Sequence, residues 1–143
     1  MEKELLNTFD KQLLLKDLCA RLPYGLKVKC EKYSFPVTIL YGGNIDEVKF
    51  KETGGIENIC TIKLYLFPLS SMTSEQLFEV QEIMGKNEIE IEDGFFNIID
   101  SSRNTNTYLE ILAVLEWFYK NHFDINGLIE KGLAIDATGL NIY

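Results

Sequence analysis

One histidine, three cysteines, three prolines and a single tryptophan are all that the 143 residues contain of these types. Each scarcity excludes something. Imidazole is the side chain whose ordinary pKa lies nearest neutral pH, so any histidine chemistry rests on His122 alone. A structural zinc site draws about four Cys/His ligands from close-set pairs. The only candidates here, Cys19, Cys30, Cys60 and His122, are scattered and contain no C-x-x-C pair, so no metal or cofactor is expected. An odd cysteine count argues against a disulfide framework, and all three lie in apolar periodic contexts that predict buried thiols. The longest greasy stretches, Ile111 to Val114 and Tyr65 to Leu69, fall far short of the ~18 residues of a membrane span. The opening Met1-Glu2-Lys3-Glu4 lacks the basic-then-apolar layout of a secretory signal. A soluble, cytoplasmic protein with no membrane partner is the expectation.

Glycine-rich phosphate cradles are missing too. Gly42-Gly43 and Gly54-Gly55 are isolated pairs without G-x-x-x-x-G-K or G-x-G-x-x-G spacing, and they read as hairpin turns. No G-x-S-x-G occurs. What the chain has in surplus is acid: 22 Asp/Glu against 14 Lys/Arg, a net charge of −8. Residues 1–72 hold 10 Lys/Arg and 9 Asp/Glu, net +1, whereas residues 73–143 hold 4 and 13, net −9. That balance offers no basic footprint, and direct nucleic-acid binding is not expected. The acidic half serves solubility or forms a docking face for a protein with a basic surface.

Periodicity orders the chain. Asp10 to Arg21 predicts a helix with Asp10 as N-cap and an apolar stripe of Leu14, Leu15, Leu18, Cys19 and Leu22, stopped by Pro23 and Gly25. Leu26, Val28 and Cys30 alternate with Lys27, Lys29 and Glu31 as a strand. Val37, Ile39 and Tyr41 share a face in a second, Val48 and Phe50 in a third, and Cys60, Ile62, Leu64 and Leu66 in a fourth. With Gly42-Gly43-Asn44 and Gly54-Gly55 as turns, the four predict an antiparallel meander. Thr73 to Gln76 matches a capping box, with Met72 and Leu77 placed as a hydrophobic staple. Its helix should run to Met84 with Leu77, Val80 and Met84 inward, Phe78 flanking and Gly85 ending it. Glu88 to Glu92 alternates strictly and predicts a strand with Ile89 and Ile91 buried, turned by Asp93-Gly94 into a partner over Phe95 to Ile99. Ser101 to Asn106 reads as a loop. A second capping box, Thr107 and Glu110, opens a helix to Lys120. The stretch from Asn121 to Tyr143 predicts irregular structure with one helical turn near Leu128 to Lys131. Runs of strands between helices indicate α+β: one domain over residues 1–143, a mostly antiparallel sheet of four to six strands with two or three helices packed on one face.

No constellation selects a reaction. His122, just past a helix end, can cap carbonyls and meet the negative end of the helix dipole. A catalytic role would need a converging carboxylate such as Asp124, and adjacency in sequence is no evidence of a dyad. Glu88, Glu90 and Glu92 would stand ~6.6 Å apart in file. That row, with Asp93, is a solvated face, the candidate contact surface for a cationic partner, or in its extreme form an imitation of phosphates that occupies a DNA-binding protein.

Three strings, Leu13 to Lys29 (LLLKDLCARLPYGLKVK), Tyr65 to Thr73 (YLFPLSSMT) and His122 to Tyr143 (HFDINGLIEKGLAIDATGLNIY), resemble those of a set of small proteins encoded by gut anaerobes and their phages or other mobile elements. They span about a third of the chain. The resemblance implies a stand-alone protein of an accessory gene region and carries over no catalytic residue, since no activity is attached to that set.

The sequence thus favours a non-enzymatic protein-interaction module with an acidic C-terminal half, with no catalytic residue assigned. A small enzyme using His122 and a carboxylate, an acidic nucleic-acid mimic, and self-association through the alternating strands are the alternatives. The sequence leaves oligomeric state open.

Overall fold

A computed structural model describes residues 7–44, 47–84, 88–92, 95–99 and 107–143. Helix α1 covers Thr8–Arg21. Its N-cap is Asn7, three residues ahead of the expected Asp10: the Asn7 side chain accepts the Asp10 amide at 2.8 Å. The buried stripe is Leu14, Asp17, Leu18 and Arg21. That stripe is rotated from the predicted one, leaving Cys19 exposed, Leu15 and Leu22 half-buried, and two charged residues inside. A 3-10 turn over Leu22–Tyr24, begun by Pro23 and closed by Gly25 at φ 69°, ends the helix as anticipated.

The strands are β1 (Lys27–Cys30), β2 (Val37–Asn44), β3 (Glu47–Phe50), β4 (Ile56–Asn58), β5 (Ile62–Leu66), β6 (Glu88–Glu92), β7 (Phe95–Ile99) and β8 (Ala134–Asp136). Six of them form one sheet in the order β4-β3-β2-β1-β5-β8, antiparallel throughout except for the parallel β5–β8 pair. The architecture is α+β, as predicted, and departs from the expected meander in detail. The long strand after Gly55 does not lie beside β3. The three-residue β4 takes that place, and β5 returns to pair with β1 on the far side. Gly42 and Gly43 do not turn the chain. They lie within β2, where the pairing with β3 shifts register twice; glycine in a strand interior commonly marks such a bulge. Gly54, at φ 65°, does turn it, with Gly54 and Phe50 bonded across the bend.

Alternation gives the sheet one buried face. Val28, Cys30, Val37, Ile39, Val48, Phe50, Ile62, Leu64 and Leu66 pack with Leu14 and Leu18 of α1 and with Leu128 and Leu133 from the C-terminal segment. A second apolar cluster joins helix α2 (Ser74–Met84) to helix α3 (Thr107–Lys120) through Leu69, Val80, Val114, Phe118 and Phe123. The capping box forms as read: Thr73 N donates to Gln76 Oε1 at 2.9 Å and Gln76 N to Thr73 Oγ1 at 3.2 Å. Val80 is buried, but Leu77 turns outward and Phe78 is 63% exposed. The β6–β7 hairpin pairs separately from the main sheet. Burial of Ile89, Ile91 and the Glu110 side chain, together with Gly85, the Asp93-Gly94 turn and the 101–106 loop, lies outside the described residues. Of the three thiols only Cys30 is buried; Cys60 is half-buried. No helix among the described residues is long and apolar enough to cross a membrane.

Candidate functional site

His122 ends α3, by a device its sequence context does not announce. Its backbone is left-handed, φ 62°. The His122 amide donates to Tyr119 O at 3.1 Å and the Phe123 amide to Phe118 O at 3.0 Å. These are the two bonds of a Schellman motif, with His122 in the position where glycine is usual. The accompanying apolar contact is the edge-to-face pair of Phe118 and Phe123, 6.2 Å between centroids. The backbone, not the imidazole, caps the helix. The ring itself is 7% exposed and stacks on Tyr143 at 3.7 Å and 10°, and its Nδ1 has no hydrogen-bond partner among the described residues. Burial, then the nearby Arg21 cation, push its pKa down to about 4. The ring is therefore neutral at pH 7 and brings no cation to the helix dipole.

Asp124, the carboxylate proposed beside it, is engaged elsewhere. Its Oδ1 accepts the Leu128 amide and its Oδ2 the Ile129 amide, both at 2.9 Å. It pins the turn that brings Leu128 into the core. No hydrogen bond among the described residues joins it to His122.

The buried stripe of α1 supplies the residues that the sequence reading passed over. Asp17 and Arg21 are both fully buried and joined by two bonds, Arg21 Nε to Asp17 Oδ1 at 2.5 Å and Nη2 to Oδ2 at 3.2 Å. Arg21 Nη2 also donates to Phe123 O at 2.6 Å, which ties α1 to the end of α3. Asn126 Nδ2 donates to Asp17 Oδ2 at 2.8 Å, and the guanidinium lies over the Tyr119 ring at 4.9 Å. Arg21 Nη1 has no hydrogen-bond partner among the described residues. A signal was present: positions 14, 17, 18 and 21 fall on one helical face, so two leucines there imply that Asp17 and Arg21 are inside with them.

Tyr143 completes the cluster. Residues 138–141 are exposed, but the Tyr143 hydroxyl enters the sheet where β1 and β5 part. It accepts the Lys27 amide at 3.0 Å and lies 2.9 Å from Tyr65 O and 3.3 Å from Lys27 O. The ladder pairs Val28 with Leu64, so Lys27 and Tyr65 would be the next pair; the phenol spans the gap between them. Burial pushes its pKa up to about 12.

Among the described residues, no group of three or more His, Cys, Asp and Glu side chains converges to hold a metal. The acidic half presents a different surface. Glu75, Phe78, Glu79 and Glu82, at i, i+3, i+4 and i+7, share the outward face of α2 and are all exposed. Glu79 accepts from Trp117 Nε1 at 3.2 Å. Glu88, Glu90 and Glu92 follow on β6, which contacts α2; their side chains and Asp93 lie outside the described residues. Comparison with protein-family models, curated proteins and solved structures returns no match in any of the three.

Proposed function

We propose that the protein is a non-enzymatic interaction module that docks a partner with a basic surface through its acidic half, centred on α2. The observation that carries this reading is the face of Glu75, Phe78, Glu79 and Glu82. It sets a large aromatic, 63% exposed, among carboxylates. Interfaces concentrate their binding energy in a few aromatic anchors, while charges around them steer encounter and select partners. An acidic rim makes the complementary surface basic. Glu88, Glu90, Glu92 and Asp93 extend the same acid along the chain. The buried polar groups support the reading from the other side: Asp17, Arg21, Asp124 and Tyr143 are used to join α1, the end of α3 and the C-terminal segment, and Asp124 is not bonded to His122.

The test is affinity capture from the native host with the wild-type chain, Phe78→Ala, and the double variant Glu75→Gln/Glu82→Gln, followed by a wash at about 0.5 M NaCl. A partner held by the wild type, released by salt and lost to both variants supports the assignment. Equal retention by the variants, retention that ignores salt, or no retained protein overturns it.

A further inference from the structure

The face of the sheet away from α1 carries a notch that the acidic half does not explain. β8 pairs with Leu64 to Leu66 only, so the first two residues of β5, Ile62 and Lys63, have no neighbouring strand on that side in the described sheet. The gap opens a cavity of about 230 Å³ lined by Lys29, Glu31, Cys60, Thr61, Lys63 and Ile135 among others. Lys29 and Lys63 are direct cross-strand partners, both exposed. Like charges placed opposite one another oppose pairing, with Cβ atoms only about 5 Å apart. Neither ammonium has an ion-pair partner among the described residues. Lys32 nearby differs, being paired with Glu57 at 3.1 Å.

We propose that this notch binds a small phosphomonoester bearing hydroxyl groups, its phosphate between Lys29 and Lys63. A dianion meets two ammonium groups at once and turns their mutual repulsion into attraction, which a monoanion does only by half. Glu31 at the rim disfavours a bare anion and accepts from a ligand hydroxyl. Ile135 gives the carbon skeleton an apolar wall. The cavity is smaller than the ~300–1,000 Å³ of drug-sized sites, which limits the ligand to about the size of a sugar phosphate. This inference is independent of the α2 surface and stands or falls without it.

Ribose 5-phosphate, inorganic phosphate, ribose and succinate are titrated into the isotope-labelled full chain at low salt, with amide shifts followed by NMR. Ribose 5-phosphate should move Lys29, Thr61, Lys63 and Ile135 and bind most tightly, ribose alone should move none of them, and succinate should bind more weakly than either phosphate. Lys29→Gln and Lys63→Gln should each weaken ribose 5-phosphate by at least about threefold, as the loss of one exposed charge contact implies. Both sites are exposed, so the variants should keep the wild-type spectrum elsewhere. Glu31→Gln should tighten inorganic phosphate and narrow its gap to ribose 5-phosphate. Unchanged affinity in both lysine variants, succinate binding as tightly as ribose 5-phosphate, or equal movement at Lys27, Lys49 and Lys51 would overturn the site.

Discussion

Replacing Tyr143 with phenylalanine removes one oxygen and isolates the contribution of the bridge between β1 and β5. The ring that stacks on His122 at 3.7 Å and lies 6.0 Å from Phe67 is retained. What is lost is the acceptor for the Lys27 amide and the donor within reach of Tyr65 O and Lys27 O. The hydroxyl has a single proton, so the loss amounts to two hydrogen bonds. A buried backbone group left unpaired costs about 1–3 kcal/mol. Tyr65 is buried and Lys27 half-buried, while 44% of Tyr143 itself stays exposed, so water can reach part of the gap. That places the expected destabilisation near the low end, about 1–2 kcal/mol in total. For a chain of this size it lowers Tm by roughly 3–8 °C. Urea unfolding at pH 7 measures the stability, and amide hydrogen exchange locates it: the Lys27 amide should lose protection well beyond the global change. A Tyr143→Phe protein within about 0.3 kcal/mol of wild type, with Lys27 still protected, would refute the bridge.

Two further outcomes follow from the same cluster. The His122 pKa is about 4 in the folded chain and about 6.5 unfolded, so the unfolded state takes up the proton first as pH falls. Stability from the neutral ring is therefore complete above about pH 6.5 and is lost between there and pH 4, at most about 3 kcal/mol and about 2 allowing for residual solvent contact. Urea midpoints from pH 7 to 4.5 should fall more steeply in the wild type than in His122→Asn, whose asparagine tolerates the left-handed backbone; parallel slopes would sink the argument. Arg21→Met should cost about 3–5 kcal/mol by stranding the Asp17 carboxylate in the core. In Asp17→Asn/Arg21→Met, which removes both charges of the pair, much of that loss should return; equal unfolding midpoints for the single and double variants would show that the ion pair is not the source.

Legibility in this chain followed the reach of the signal. The α2 capping box was readable because both of its bonds close within three residues, Thr73 to Gln76, and need nothing from the rest of the fold. The alternation of Val28, Cys30, Ile62, Leu64 and Leu66 likewise announced which face of each strand is buried. Pairing was less readable. Nothing in the local pattern says that β5 pairs with β1 and not with β3, and three-residue β8 carries too little alternation to register as a strand. The candidate site is least local of all. Arg21 reaches Phe123 across 102 positions, and the Tyr143 hydroxyl reaches Lys27 across 116. His122 stands at a helix-end position whose usual marker is glycine.

The physical reason is that the hydrogen bonds by which Arg21 and Tyr143 reach another segment end on backbone groups. Backbone groups exist at every position, so they leave no composition cue at the receiving end. The donors can still be found: a charged pair on a leucine stripe, Asp17 and Arg21 alongside Leu14 and Leu18, has to be buried with its stripe, and a buried cation then requires an oxygen from elsewhere in the chain. In this fold that oxygen is the Phe123 carbonyl, one residue beyond the left-handed turn at His122. The unusual backbone at His122 and the buried arginine are thus two sides of one constraint. The Schellman turn aims the Phe123 carbonyl at α1 while its amide stays bonded to α3, and a residue that could not hold φ near 60° would cost the guanidinium its third bond.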